Sequence, residues 1–179
     1  MNHADHVGLL RAGLDGVAPG ERWADIGAGS GAFTLALADL LGPGASIVAV
    51  DRDAGALQAN ERDMAARFPN VALETRVADF VGPLDLASLD GIVAANSLHF
   101  VPRKGQVETV RRLAATIRPG GRFLVVEYDA DRGNPWVPHP FSVATWQRLA
   151  AEAGLLGTLE IGRVPSRFLG AIYAAASRV

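Results

Sequence analysis

The residues best suited to chemistry are three glycines and three acids spread over the first half of a 179-residue chain. Gly27, Gly29 and Gly31 lie in "WADIGAGSGAFTLALADL", between an apolar run and a helical pattern. Glycine tolerates positive φ and has no Cβ, so a ligand can lie directly on the backbone there. The N–H groups of such a loop, and of the helix start behind it, attract a carboxylate or a phosphate. Asp25, just before the loop, opposes a pyrophosphate but suits a ligand's ammonium group. Asp51 closes the next apolar run in "IVAVDRD", with Arg52 beside it. A carboxylate about 20 residues past a glycine loop can accept both hydroxyls of a ribose. Asp79, in "TRVADF", follows a third run, where it can accept from an adenine amino group while Phe80 packs on the ring. Together they predict a site for an adenosine-containing ligand with a charged end. Gly27, Gly29 and Ala32 also satisfy the G-x-G-x-x-G/A dinucleotide pattern, so the glycines alone do not decide between ligands. A tight turn without any ligand is the plain alternative.

The second half offers fewer reactive groups. Asn96, in "LDGIVAANSLHFV", can line a reacting group with its carbonyl or fix an acceptor. His99, three residues on, has two readings: a base, since its ordinary pKa lies near neutrality, or a histidine that packs and orders its loop. Glu127, Tyr128 and Asp129 close a later apolar run, and at least one is expected to face an acceptor. His99 and Tyr128 are the catalytic candidates, and Glu127 and Trp136 the candidates for acceptor contact. Trp136 sits in "DADRGNPWVPHPFS", residues 129–142, whose three prolines stiffen what is read as an acceptor loop. There Trp136 is either a flat wall for a ring or a plug in the core. His139 is expected to face solvent. No metal site is expected, because His3 and His6 on a chain end lack a fixed third ligand.

The elements that must position these groups alternate short apolar runs with helical patterns, as a parallel sheet with crossover helices does. Helices are predicted over 4–14, 32–41, 54–67, 106–117 and 143–153, the fourth with Val107, Val110, Leu113 and Ile117 buried. Strands are predicted over 22–26, 46–50, 71–77, 91–95 and 122–127, followed by strand-like runs at 155–164 and 167–176. Only Pro165 and Ser166 separate the last two, too few for a crossover, so they should pair antiparallel. The expectation is one α/β domain over residues 1–179: a doubly wound, Rossmann-like, seven-stranded sheet, mostly parallel, closed by an antiparallel C-terminal hairpin. Ligands in such sheets sit at the carboxyl ends of the strands, where strand order reverses. Arg111, Arg112 and Arg118 are read as an exposed helix side and end, and Arg62, Asp63 and Arg67 as a solvated face.

Composition bounds the rest. The net charge of -2 gives no bulk attraction to nucleic acid or anionic membranes, although a local basic patch is compatible with it. With no cysteine, disulfides, thiolate metal sites and cysteine nucleophiles are excluded, which suits a reducing interior. The start has neither the basic end nor the apolar core of a signal peptide, so the cytoplasm is expected.

The motifs "ADIGAGSG", "VAVDRD", "VADF", "LDGIVAANSLHFV" and "IRPGGRFLVVEY", in that order, resemble those of class I S-adenosylmethionine-dependent methyltransferases of the small bacterial kind, over about residues 20–128. Ala78 departs mildly, standing where many members carry glycine. The resemblance implies S-adenosylmethionine as cofactor. It places Asp25, Gly27, Ala28, Gly29 and Gly31 at the methionine end, Asp51 and Arg52 at the ribose, Asp79 and Phe80 at the adenine, and Asn96 beside the sulfonium. It implies methyl transfer by direct displacement. A small-molecule acceptor is expected because the chain shows no appended recognition domain, and the charge balance points to no nucleic acid or membrane partner. Any lid must come from the N-terminal helix within residues 1–20, the 129–142 loop or a second subunit of a homo-oligomer. Two other readings stay open: a nicotinamide-dependent oxidoreductase, and a non-catalytic module that binds S-adenosylmethionine.

Overall fold

The computed structural model describes residues 1–86 and 88–179. Helix α1 (His3–Arg11) runs into a 3-10 turn and leads to β1 (Arg22–Ile26), α2 (Ala32–Leu41), β2 (Ser46–Asp51), α3 (Ala54–Arg67) and β3 (Ala72–Val77). Then come β4 (Leu89–Ala95), α4 (Arg103–Ala114), β5 (Ile117–Tyr128), α5 (Val143–Glu152), β6 (Leu156–Pro165) and β7 (Ala171–Arg178). All seven strands form one sheet in the order β3-β2-β1-β4-β5-β7-β6. The first five are parallel, and β7 enters antiparallel between β5 and β6. The expected doubly wound sheet with its terminal hairpin is what forms. Strand order reverses between β1 and β4, which opens a crevice at their carboxyl ends.

Both faces of the sheet are covered, which is why residues 47–50 of β2 and 91–95 of β4 read as unbroken apolar runs. On one face Phe123, Val110, Leu113, Phe141 and Trp146 pack under α4 and α5. On the other, Trp23, Leu10, Phe33, Leu37 and Met64 pack under α1, α2 and α3. Among the described residues, no helix is long and apolar enough to cross a membrane.

Two expected boundaries are corrected. The fourth helix spans Arg103–Ala114 rather than 106–117, because Ile117 already pairs with Leu89 as the first residue of β5. The long β5 thus carries "RPGG" within it, at a register shift between Leu89 and Gly91. The hairpin link is residues 166–170 rather than Pro165 and Ser166. Ser166 N–H donates to the Gly170 carbonyl at 2.9 Å, so these residues close on themselves before β7 begins.

Candidate active site

The carboxyl ends of β1 to β4 enclose a cavity of about 550 Å³. Its floor is the glycine loop. Gly27 has φ +74°, and its N–H donates to the Val50 carbonyl at 2.8 Å. A Cβ on Gly27 would overlap the Cβ of Ser97 across the crevice, so only glycine lets the tips of β1 and β4 approach this closely. Gly29, Asp51, Asp79, Phe80 and Asn96 line the same space, as do Arg52 and Asp53.

The acids are locally ordered. Asp51 accepts from the N–H of Gly29 at 2.8 Å through Oδ2 and from that of Asp53 at 2.9 Å through Oδ1, binding the tip of β2 to the glycine loop. Asp53 caps α3, accepting from the N–H groups of Gly55 and Ala56. Asp79 accepts from the N–H of Val81 at 2.9 Å, closing the turn that carries Phe80.

The wall opposite is irregular. Asn96 takes φ +50°, an uncommon conformation outside glycine, while its N–H donates to the Val126 carbonyl at 2.8 Å. Its Oδ1 and the neighbouring Ser97 Oγ are buried and have no hydrogen-bond partner in the protein. Unpaired buried polar atoms cost free energy, and Asn60 Oδ1 and Trp146 Nε1 share that state away from the cavity. It is the place of Asn96 and Ser97 on the cavity wall that makes them candidates to meet a ligand's donors.

Several residues singled out above lie away from the cavity. Asp25 is buried beneath the glycine loop, where its Oδ2 accepts from Thr34 Oγ1 at 2.6 Å; Thr34 Oγ1 accepts in turn from Asn60 Nδ2 at 2.8 Å. Burial pushes the Asp25 carboxyl up to about 7; the Thr34 hydroxyl opposes this and the charge of Asp51 adds to it. Gly31, at φ +95°, caps α2 against Asn60, and Ala28 is buried. Glu127 is fully buried rather than turned to an acceptor. Its carboxylate meets His99 Nδ1 at 2.9 and 3.0 Å and accepts from the N–H of Tyr128 at 2.8 Å. His99 is buried too, so the pair orders the segment after β4 from behind. The Tyr128 ring lies edge-on to His99, 5.9 Å away, and burial first, then the Glu127 charge, raises its phenol. Trp136 neither plugs the core nor lines the cavity; it is 73% exposed. Among the described residues no group of acids and histidines is arranged to hold a metal ion.

Ser97, Phe100, Val101 and Pro102 line the cavity without having been singled out. Their signal was their place directly after Asn96 at the tip of a buried strand. The Thr34–Asn60 pair carried none, since its members lie 26 residues apart.

Residues 24–123 match the family model described as a methyltransferase domain. The chain belongs to the class I S-adenosylmethionine-dependent methyltransferases. S-adenosylmethionine is the cofactor of these methyltransferases, and the glycine floor with its unpaired wall oxygens suits it. The chain is 30% identical over 145 residues to the ubiquinone/menaquinone biosynthesis C-methyltransferase UbiE of Hahella chejuensis, covering 80% of this chain and 55% of that protein. The Pseudomonas aeruginosa protein of the same name is 29% identical over 123 residues, covering 68% and 47%. The chain thus spans about half the length of the curated relatives it matches. Among solved folds, it is similar to the magnesium protoporphyrin IX methyltransferase ChlM of Synechocystis with bound cofactor, at a TM-score of 0.73 and 18% identity, covering 99% of this chain and 80% of that one. It is similar also to the Bacillus YcgJ protein, at a TM-score of 0.70 and 16% identity, covering 98% and 96%.

Proposed function

We propose that residues 1–179 act as one unit that binds S-adenosylmethionine in the crevice between β1 and β4 and transfers its methyl group to a small-molecule acceptor. The observation that carries this is the pairing of Gly27, which admits no Cβ, with the unpaired oxygens of Asn96 and Ser97 on the facing wall. Asp51, with Arg52 beside it, would take the ribose hydroxyls, exchanging its bond to the Gly29 N–H for bonds to the ligand. Asp79 and Phe80 would hold the adenine, and the backbone at Gly27 and Gly29 the methionine end. Asp25 supports this from beneath, as a partly neutralised acid that stiffens the start of α2 through Thr34.

The bound cofactor supplies a methyl group already activated on sulfur, so the protein's task is chiefly to position an acceptor in line and keep water out. Phe80, Val81, Phe100, Val101 and Pro102 give the cavity an apolar side for that. His99 lies behind the wall and orders it, as its bonds to Glu127 suggest. Carboxylates outnumber the single cation Arg52 among the lining residues, which disfavours a strongly anionic acceptor. The relatives' C-methyltransferase activity makes a neutral ring-containing acceptor the class to assay first.

Calorimetry with S-adenosylhomocysteine, run beside NAD and NADH, tests the site. Tight binding of S-adenosylhomocysteine alone is expected, and Asp51→Ala should weaken it at least about tenfold through the lost ribose bonds. An unchanged titration for Asp51→Ala would count against the placement. Release of S-adenosylhomocysteine with a methyl mass gain on an acceptor separates an enzyme from a non-catalytic binder.

A further inference from the structure

Phe100, Trp136 and Phe168 are the exposed large aromatic side chains among the described residues, at 55%, 73% and 70%. They come from three segments far apart in sequence that share one edge of the molecule. Phe100 follows the carboxyl end of β4, and Trp136 lies in the connection after β5. Phe168 lies between β6 and β7; since Ile172 pairs with Tyr128 and Pro165 with Ala171, that turn rises at the same edge.

The segments are tied together. The His139 N–H donates to the His99 carbonyl at 3.0 Å, and Gln106 Nε2 donates to the Val101 and His139 carbonyls. The Asp129 N–H donates to the Ala171 carbonyl at 2.9 Å, and Arg163 pairs with Asp129 at 2.6 Å. Trp136 is presented by a tight turn in which Asn134 Oδ1 accepts from the N–H groups of Trp136 and Val137, with Pro135 and Pro138 stiffening it. Its exposure is therefore built in.

Charge says what the edge meets. Residues 96–104, 129–142 and 166–170 hold four cations and two acids, within a chain of net charge -2. Both acids are engaged, Asp129 by Arg163 and Asp131 by the N–H and hydroxyl of Ser142. Lys104, Arg132 and Arg167 are in no ion pair among the described residues. Aromatics interleaved with free cations suit a surface that is apolar within and anionic at its face. Nucleic acid would ask for a groove that tracks phosphates with many cations, which three scattered side chains do not form.

We propose that this edge, over β4, β5 and β7, docks peripherally on an anionic lipid bilayer, with Trp136 and Phe168 entering the interface and Lys104, Arg132 and Arg167 facing lipid phosphates. Phe100 belongs both to this edge and to the cavity wall, so the docked edge borders the cavity, whose own acids Asp51, Asp53 and Asp79 lie on the β1–β3 side. The inference does not depend on methyl transfer.

Co-sedimentation with phosphatidylcholine vesicles, with and without phosphatidylglycerol, tests it. Binding to the anionic vesicles alone is expected, weakening as salt screens it. Trp136→Ala with Phe168→Ala should reduce it about tenfold or more, and Arg167→Glu about fivefold or more. Trp23 and Trp146 are fully buried, so the vesicles should shift the emission of Trp136 to the blue, and Trp136→Phe should abolish the shift. Phe168→Ala and Arg167→Glu should leave the S-adenosylhomocysteine titration unchanged, which separates failure of docking from failure of the cofactor site. Absence of binding, binding indifferent to these substitutions, or a dimer or oligonucleotide complex lost with Trp136→Ala would overturn the proposal.

Discussion

The two halves of the sheet's carboxyl edge are built by opposite means. Over β1, β2 and β3 the site is made of backbone and of bonds from acids to backbone N–H groups: Asp51 to those of Asp53 and, across the strand tips, Gly29, Asp79 to that of Val81, and glycine at positive φ. Over β4, β5 and β7 it is made of side chains that meet from far apart, His99 with Glu127 and Asp129 with Arg163. The first half can lend its donors and acceptors to a ligand, because each is also open to the cavity. The second spends the carboxylates of Glu127 and Asp129 inside the protein, leaves the oxygens of Asn96 and Ser97 unpaired on the cavity wall, and shows aromatics outward. One half offers a ligand its backbone and acids, and the other holds in place the wall that faces them.

This contrast is sharpest at Glu127. Removing its carboxylate leaves the His99 ring and the Tyr128 N–H without their buried partner. Glu127→Ala should therefore lower stability by about 3–5 kcal/mol, measured by urea unfolding. Glu127→Gln keeps an acceptor oxygen and should cost less. If Glu127→Ala destabilised the protein no more than Asp51→Ala, the two halves would not differ as described.

The same contrast explains what was legible in the sequence. Gly27, Asp51 and Asp79 could be placed because a strand tip, a missing Cβ and a local turn are properties of neighbouring residues. The doubly wound fold and the antiparallel hairpin were legible too, from apolar runs and a link too short for a crossover. The burial of Glu127 was not, since "VVEY" reads the same whether its acid meets a ligand or a histidine 28 residues earlier. Nor was the inward turn of Asp25, which depends on Thr34 and Asn60 arriving from two different helices. Trp136 was ambiguous because an aromatic between prolines can face either way, and only the Asn134 turn decides. Ile117 misled for a related reason: an apolar residue at helical spacing after Leu113 also fits a strand that starts early.

The first half has its own point of breakage. In Gly27→Ala the backbone conformation alone should cost about 1–2 kcal/mol, and the overlap with Ser97 should force β1 and β4 apart. S-adenosylhomocysteine affinity should fall at least about tenfold, with the fold retained by circular dichroism. An alanine that bound the ligand normally would show that the floor does not need glycine.

The effect at Asp25, where the binding half behaves like the other, is expected only as a dependence on pH. Its carboxyl is raised by burial to about 7, against an ordinary 3.8. The folded protein therefore holds a proton that the unfolded chain releases above about pH 4. The stability from that proton is whole below the ordinary value, declines as pH rises, and is gone once pH passes about 7. Between pH 5 and pH 8 the wild type should lose about 1–3 kcal/mol that Asp25→Asn does not lose, read from urea unfolding at each pH. The asparagine keeps an acceptor for Thr34 and carries no charge to bury, so it isolates the proton from the packing. A wild type and variant that changed in parallel across that range would mean that Asp25 is ionised throughout, held by something other than Thr34.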